Sequence, residues 1–228
     1  MNEIICDSGS LISLTNGCLD NLIYFFSEKF KLKFVIPPSV EYETVTRPLT
    51  GDLRKYLFSA VRIKDAIDDG VIIRSEGDLT AEKNQIMKAA NSLFFIRGKP
   101  LRLIHEGESE MFALAVQLGV TDILIDERTA RMLVEAPLKL KAHLEHEFKV
   151  NVMTNKNNLS VLDAKLKQFS AIRSSELVML AYEKGYFDSF QTIEREALEA
   201  ALYKIKFSGC SISFDEINAY LGSIKQRN

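Results

Sequence analysis

Residues 107–131 read Gly107-Glu108-Ser109-Glu110-Met111-Phe112-Ala113-Leu114-Ala115-Val116-Gln117-Leu118-Gly119-Val120-Thr121-Asp122-Ile123-Leu124-Ile125-Asp126-Glu127-Arg128-Thr129-Ala130-Arg131. Met111, Leu114, Ala115 and Leu118 recur at helical spacing, which predicts a helix from Gly107 to about Leu118. Gly119 is placed to end it, because glycine adopts the left-handed conformation that closes helices. Ile123-Leu124-Ile125 is a short unbroken apolar run, the pattern of a strand buried on both faces of a parallel sheet. Asp126-Glu127 then opens a second helix, which stops before Pro137. Helix, buried strand and helix in close succession form part of a wound α/β arrangement.

The same alternation extends outward in both directions. Ile4-Ile5-Cys6 reads as a buried strand that ends in the polar turn Asp7-Ser8-Gly9-Ser10, with a helix from about Leu11. Leu22, Ile23, Phe25 and Phe26 mark a second amphipathic stretch. Phe34-Val35-Ile36 is the next strand, and a helix begins near Pro38, where proline costs little. Leu53, Leu57, Ala60 and Val61 predict a helix over 53–67, followed by the strand Val71-Ile72-Ile73. Residues 80–96 read as helical, broken by Gly98-Lys99-Pro100. Val150-Asn151-Val152 is expected as the fifth strand, and everything from Leu159 onward as helices only. The expected organisation is therefore a parallel sheet wrapped in helices over residues 1–157, with a helical insert around 76–100, and a helical C-terminal extension over 158–228.

Composition narrows the function classes. A net charge of −2 is not that of a domain that coats nucleic acid, so any contact with phosphate must use local basic patches or bridging metal ions. Cys6, Cys18 and Cys210 are scattered and odd in number, which argues against a disulfide framework and against a zinc site. No apolar run is long enough to span a bilayer, and Met1-Asn2-Glu3-Ile4-Ile5 lacks the features of a signal peptide. An intracellular, cytoplasmic protein with no membrane association is expected.

The chemistry-bearing residues are carboxylates. Ligands of open parallel sheets bind beyond the carboxyl ends of the strands, and Asp7 and Asp126 each follow a strand directly. Glu43 lies three residues after Val40, so an inward Val40 brings Glu43 inward as well. Glu108 extends the apolar stripe of its helix by one turn, while Glu110 flanks that stripe, four residues before Leu114. Each acid has a plainer reading: Asp7 and Asp126 as helix caps, and Glu43, Glu108, Glu110 and Glu127 as solvated first-turn acids favoured by the helix dipole. As a set they would repel one another unless cations neutralise them. Magnesium and manganese prefer such oxygen ligands, and a pair of these ions supports hydrolysis of a phosphodiester.

These motifs, Ile-Cys-Asp7-Ser-Gly-Ser10, Pro-Pro-Ser-Val-Glu-Tyr-Glu43, Gly-Glu108-Ser-Glu110-Met-Phe-Ala-Leu-Ala and Leu-Ile-Asp126-Glu127-Arg128-Thr-Ala-Arg131, resemble the PIN domain family over roughly residues 3–155. The resemblance implies a three-layer fold with a five-stranded parallel sheet and helices on both faces. It also implies single-stranded RNA as substrate and Mg2+ or Mn2+ at the acidic pocket. Asp7, Glu43, Glu108 and Asp126 match the family's acidic positions, with Glu110 and Glu127 as secondary metal ligands. Many relatives carry two aspartates where this chain has Asp126-Glu127, which leaves open which of the two binds metal. Ser10 matches a small polar residue that often lines the pocket. Small members are often toxins held by an antitoxin partner, others act in RNA processing, and homodimers follow by the same analogy. Residues 191–221, with Leu198, Leu202, Ile205, Ile212, Phe214, Ile217 and Leu221, resemble the helical tail of a prokaryotic subgroup.

Ser8, Ser10, Arg128 and Arg102 are the expected substrate contacts. His143 and His146, three apart on an expected surface helix, have no acid or cysteine pattern around them to make a metal site. No Ser-His-Asp spacing and no glycine-rich phosphate loop is present. A metal-dependent endoribonuclease is the expected function. The rivals are an antitoxin-controlled toxin module, a catalytically weak domain that binds RNA or protein, and a phosphotransfer domain with Asp7 as acceptor.

Overall fold

A computed structural model describes residues 2–51 and 54–224. The chain runs β1 (Glu3–Cys6), α1 (Ser8–Asn16), α2 (Asn21–Phe30), β2 (Lys33–Ile36), α3 (Pro38–Glu41), a π-type turn (Tyr42–Thr46), α4 (Arg47–Thr50), α5 (Leu57–Asp68) and β3 (Ile72–Arg74). It continues through α6 (Thr80–Ala90), β4 (Phe94–Ile96), β5 (Lys99–Pro100), α7 (Glu106–Leu118), β6 (Asp122–Leu124), α8 (Arg128–Glu135), α9 (Pro137–Phe148) and β7 (Met153–Thr154). Last come α10 (Lys156–Leu166), β8 (Ser170–Ile172), α11 (Ser174–Glu183), α12 (Glu194–Ser208) and α13 (Phe214–Ser223). Among the described residues no helix is long and apolar enough to cross a membrane.

Five strands form one sheet in the order β3-β2-β1-β6-β8, with every pairing parallel. The alternation of strand side chains sorts the core into two layers. Ile4, Cys6, Phe34, Ile36 and Leu124 face one side, where α1, α2, α5 and the C-terminal helices α11–α13 cover them. Ile5, Val35, Ile123 and Ile125 face the other, under α6–α10. Because both faces are covered, the strands need no polar side, and this is why they read as unbroken apolar runs. The three-layer α/β fold expected from the sequence is the fold observed.

Several local expectations are corrected. The fifth strand of the sheet is Ser170–Ile172, not Val150–Val152, so the chain after Leu159 is not helical throughout. Val152 is buried, and the short strand just after it, Met153–Thr154, joins a separate antiparallel sheet of order β5-β4-β7. Helix 80–96 ends at Ala90; Phe94–Ile96 pairs instead with Lys99–Pro100 across Arg97-Gly98. Both residues of that two-residue turn have positive φ, 50° and 78°, which matches the twist a tight hairpin requires. The insert around 76–100 is thus a helix plus a hairpin. Leu57, Val61 and Leu118, inward by periodicity, are 40%, 45% and 45% exposed; α5 instead buries Ser59, Ala60, Ile63 and Ala66. Leu53 lies outside the described residues. Of the C-terminal apolar set, Phe214 is exposed, while Leu198, Leu202, Ile205, Ile212, Ile217 and Leu221 are buried.

The helix after Pro38 widens at Tyr42–Thr46, where the Arg47 N–H donates to Tyr42 O five residues back. Pro48 explains the widening. It has no N–H to offer Thr44 O, and its ring would clash with that carbonyl in a regular α-helix. A π-type turn moves the carbonyl aside, and Glu43 sits within it.

Candidate acidic site

Asp7 and Asp126 lie at the carboxyl ends of the neighbouring strands β1 and β6, whose register pairs Cys6 with Leu124. Both are buried, at 5% and 2% exposure. The Asp7 N–H donates to Leu124 O at 3.0 Å and extends the ladder one step beyond the strand. Asp7 Oδ1 accepts from the Ser10 N–H at 2.7 Å and from the Ser10 hydroxyl, which makes Asp7 the N-cap of α1. Asp126 makes a different attachment. Its Oδ1 accepts from the Ser174 N–H at 2.8 Å and its Oδ2 from the Ser174 hydroxyl at 2.6 Å, so it anchors the start of α11.

Glu43 is half-buried, and its Oε2 accepts from the Ser8 hydroxyl at 2.6 Å. Its carboxylate also lies directly over Gly107 in the first turn of α7, where an added Cβ would stand 3.2 Å from Oε2. Glu108, also half-buried, accepts from the His105 N–H at 2.9 Å and closes a capping box on α7. Glu110 turns away to Ser39, whose N–H donates to it at 2.8 Å. Glu127 is exposed and caps α8, accepting from the Ala130 N–H at 2.6 Å. Each carboxylate therefore meets backbone N–H groups or the positive end of a helix, which offsets part of the negative field.

That offset is incomplete at Asp7. Burial pushes its carboxyl up, and the charges of Asp126 and, more weakly, Glu108 push it further, to about 7 despite the opposing bonds from Ser10. Asp7, Asp126 and Glu108 thus share one electrostatic site. Glu43 joins it through Ser8, whereas Glu110 and Glu127 are engaged at other helix ends. All the donors are hard oxygens, the set that Mg2+ or Mn2+ prefers. The side chains as placed do not close on an ion: among the described residues no three His, Cys, Asp or Glu groups gather tightly enough to hold a metal. Glu108 and Glu43 would have to swing from their present partners to do so.

Ser10 is fully buried, and its hydroxyl reaches both Asp7 and Leu124 O, so it positions Asp7 and faces no ligand. Ser8 holds Glu43. Arg102 is exposed and lines a cleft of about 350 Å³ beside Glu108, with His105, Glu127, Leu144 and Phe148. Arg128 is exposed on the opposite flank of α8, with Arg131 and Arg173. The larger grooves, about 750 and 800 Å³, lie elsewhere. One runs under the opposite ends of β1 and β6 beside Glu3 and Thr121, and the other lies between Cys18 and α12. His143 pairs with Glu147 on α9 at 3.7 Å, as a surface helix allows. Ser174 is the site residue that sequence reasoning missed. Its signal was Ala171-Ile172 followed by Arg173-Ser174-Ser175-Glu176, an apolar step into a helix start like the one at Asp7. Comparison with family models, with curated proteins and with solved structures returned no match.

Proposed function

We propose that this chain is a metal-dependent endoribonuclease acting on single-stranded RNA, with Asp7, Glu43, Glu108 and Asp126 as its acidic centre. The observation that carries the reading is the Asp7 carboxyl, buried at a strand end beside Asp126 and raised to about 7 by burial and by its acidic neighbours. A field of that kind favours a bound cation, and perturbed carboxyls cluster at functional sites. Asp7, Glu108 and Asp126 would hold the principal Mg2+ or Mn2+; Glu43 would hold a second ion or orient the attacking water, while Glu110 and Glu127 stay at their helix ends. The ion would supply Lewis-acid polarisation of the phosphodiester. Among the described residues Asp7 Oδ2 has no hydrogen-bond partner, while Oδ1 is held by Ser10. Oδ2 would thus be the Asp7 atom that an ion takes as its ligand.

The test is Mn2+-dependent cleavage of single-stranded RNA by the wild-type chain and by Asp7→Asn. Loss of at least a hundredfold in rate is expected for the variant; equal inertness of both proteins on every RNA tried would sink the enzyme reading. A second reading has its own support. The acids are each held by N–H or hydroxyl donors of the chain, and among the described residues no three of them gather around one point, which suits a domain that binds RNA or protein without cutting. Retained RNA binding with no cleavage in Mg2+ or Mn2+ would favour it.

A further inference from the structure

We propose that the cleft between α8 and the loop joining α12 to α13 is a phosphate subsite that holds a backbone phosphodiester of a strand lying across the acidic mouth. The strand's identity rests on the nuclease reading. The subsite itself rests on the cleft.

This cleft, about 450 Å³, is lined by Arg128, Arg131, Arg173, Lys206, Ser211 and Glu216 among others. Four cations therefore face one carboxylate, in a chain whose net charge is −2. Three of them are held in place before any ligand arrives. Arg173, only 11% exposed, forks between Glu176 and Glu216 at 2.9 Å each and donates to Ser211 O at 3.2 Å. Arg131 is tied to Glu135 at 3.0 Å. Lys206 donates to Ile212 O at 2.5 Å and lies over the Phe214 ring, 4.4 Å from its centroid. Against these stand Glu135, Glu176 and Glu216, three acids for four cations. Neither Lys206 nor Arg128 has an ion-pair partner among the described residues; Lys206 is engaged by Ile212 O and the Phe214 ring, and Arg128 is exposed.

Two further donors in the same lining lack acceptors. Arg131 Nε and Ser211 Oγ are buried without a hydrogen-bond partner. Buried donors left unpaired are costly, and an anion seated in the cleft gives the surrounding fork an acceptor it lacks. Arginine is the side chain suited to this task, because its planar fork matches phosphate geometry. Location supplies the last link. Arg173 immediately precedes Ser174, which holds Asp126, and Arg128 follows Asp126 by two residues. A positive cleft abutting a negative pocket suits a polyanion whose successive phosphates meet the two in turn, and suits an isolated anion or an apolar partner less well.

The experiment is fluorescence anisotropy of labelled oligo-uridine, titrated in EDTA at several salt concentrations. Arg128→Gln alone should weaken binding severalfold without moving the melting temperature. Arg128→Gln with Arg131→Gln should weaken it about tenfold and reduce the salt slope by about 0.7 for each phosphate that is no longer neutralised. Lys139→Gln, on α9 and outside the cleft lining, should change neither. Unaltered affinity and slope in the double variant overturn the proposal, as does an equal weakening in Lys139→Gln. Arg128-dependent binding of inorganic phosphate with no binding of the oligonucleotide also overturns it, because the cleft is then a free-anion site. Since no metal is present, cleft binding that persists in Asp7→Asn stands even where the nuclease reading fails. Cleavage that persists without Arg128 dependence leaves that reading intact and removes this one.

Discussion

Asp7 is held in place by bonds that favour its charged form and surrounded by an environment that disfavours it. Ser10 donates twice to its Oδ1, yet burial, Asp126 and Glu108 together raise the carboxyl from 3.8 to about 7. The sign of the consequence follows from proton linkage. In the unfolded chain Asp7 loses its proton near pH 4, while in the fold it keeps it until about pH 7, so the folded state binds more protons across that interval. Stability is then full below about pH 4, declines as pH rises to about 7, and stays reduced above it. A shift of about three units corresponds to a loss on the order of 4 kcal/mol. Asp7→Asn keeps an oxygen for Ser10 and removes the charge. In metal-free buffer the variant should be more stable than the wild type at pH 8 and nearly equal to it at pH 4, measured by urea denaturation. A stability gap that does not change with pH would show that Asp7 does not carry the unfavourable charge. Adding Mn2+ at pH 8 should raise the melting temperature of the wild type and leave Asp7→Asn unmoved.

At the scale of elements, the site is a meeting of helix N-termini: α1 at Asp7, α11 at Asp126 and α7 at Glu43. Gly107 sets the last of these, because the Glu43 carboxylate lies where a side chain would be. Gly107→Ala should improve helix propensity by up to about 1 kcal/mol, while its methyl, 3.2 Å from Glu43 Oε2, displaces the carboxylate. The expected outcome is unchanged or higher thermal stability with RNA cleavage lowered about tenfold; a variant that cuts like the wild type would take Glu43 out of the site. Gly107 could be singled out in the sequence only as part of a motif, since the contact that demands it comes from a residue 64 positions away. The same limit separates what was legible from what was not. Ile4-Ile5-Cys6, Phe34-Val35-Ile36 and Ile123-Leu124-Ile125 announced themselves because strands covered on both faces need unbroken apolar runs. Ser170-Ala171-Ile172 did not, because an edge strand is half-exposed and short, and its one apolar pair is indistinguishable from the start of α11. Asp7 and Asp126 were found from their position at strand ends. The direction of Glu110 toward Ser39, and the partnership of Asp126 with Ser174, depend on how distant elements pack, which periodicity does not encode.

For the whole molecule, the C-terminal segment forms part of the core. β8 completes the sheet beside β6, and α11–α13 cover the face formed by Ile4, Cys6, Phe34 and Leu124. Leu177, Val178, Leu198, Leu202, Ile205, Ile212, Ile217 and Leu221 are all buried in that layer. Each is worth about 1.5–3 kcal/mol when removed from water, against a net stability for an ordinary domain of about 5–15 kcal/mol. Burial of eight such residues is comparable in size to that margin, and their loss would also strip Asp126 of Ser174 and leave β6 as an unpaired edge. A fragment ending at residue 157 should therefore fail to fold, giving little cooperative thermal unfolding by circular dichroism and aggregating at micromolar concentration. A fragment ending after β8 would regain the edge strand and still expose the apolar layer, so it should fail as well. Were residues 1–157 to unfold cooperatively with a melting temperature close to that of the full chain, the C-terminal helices would be an appendage, and the anchoring of Asp126 by α11 would be incidental to the acidic site.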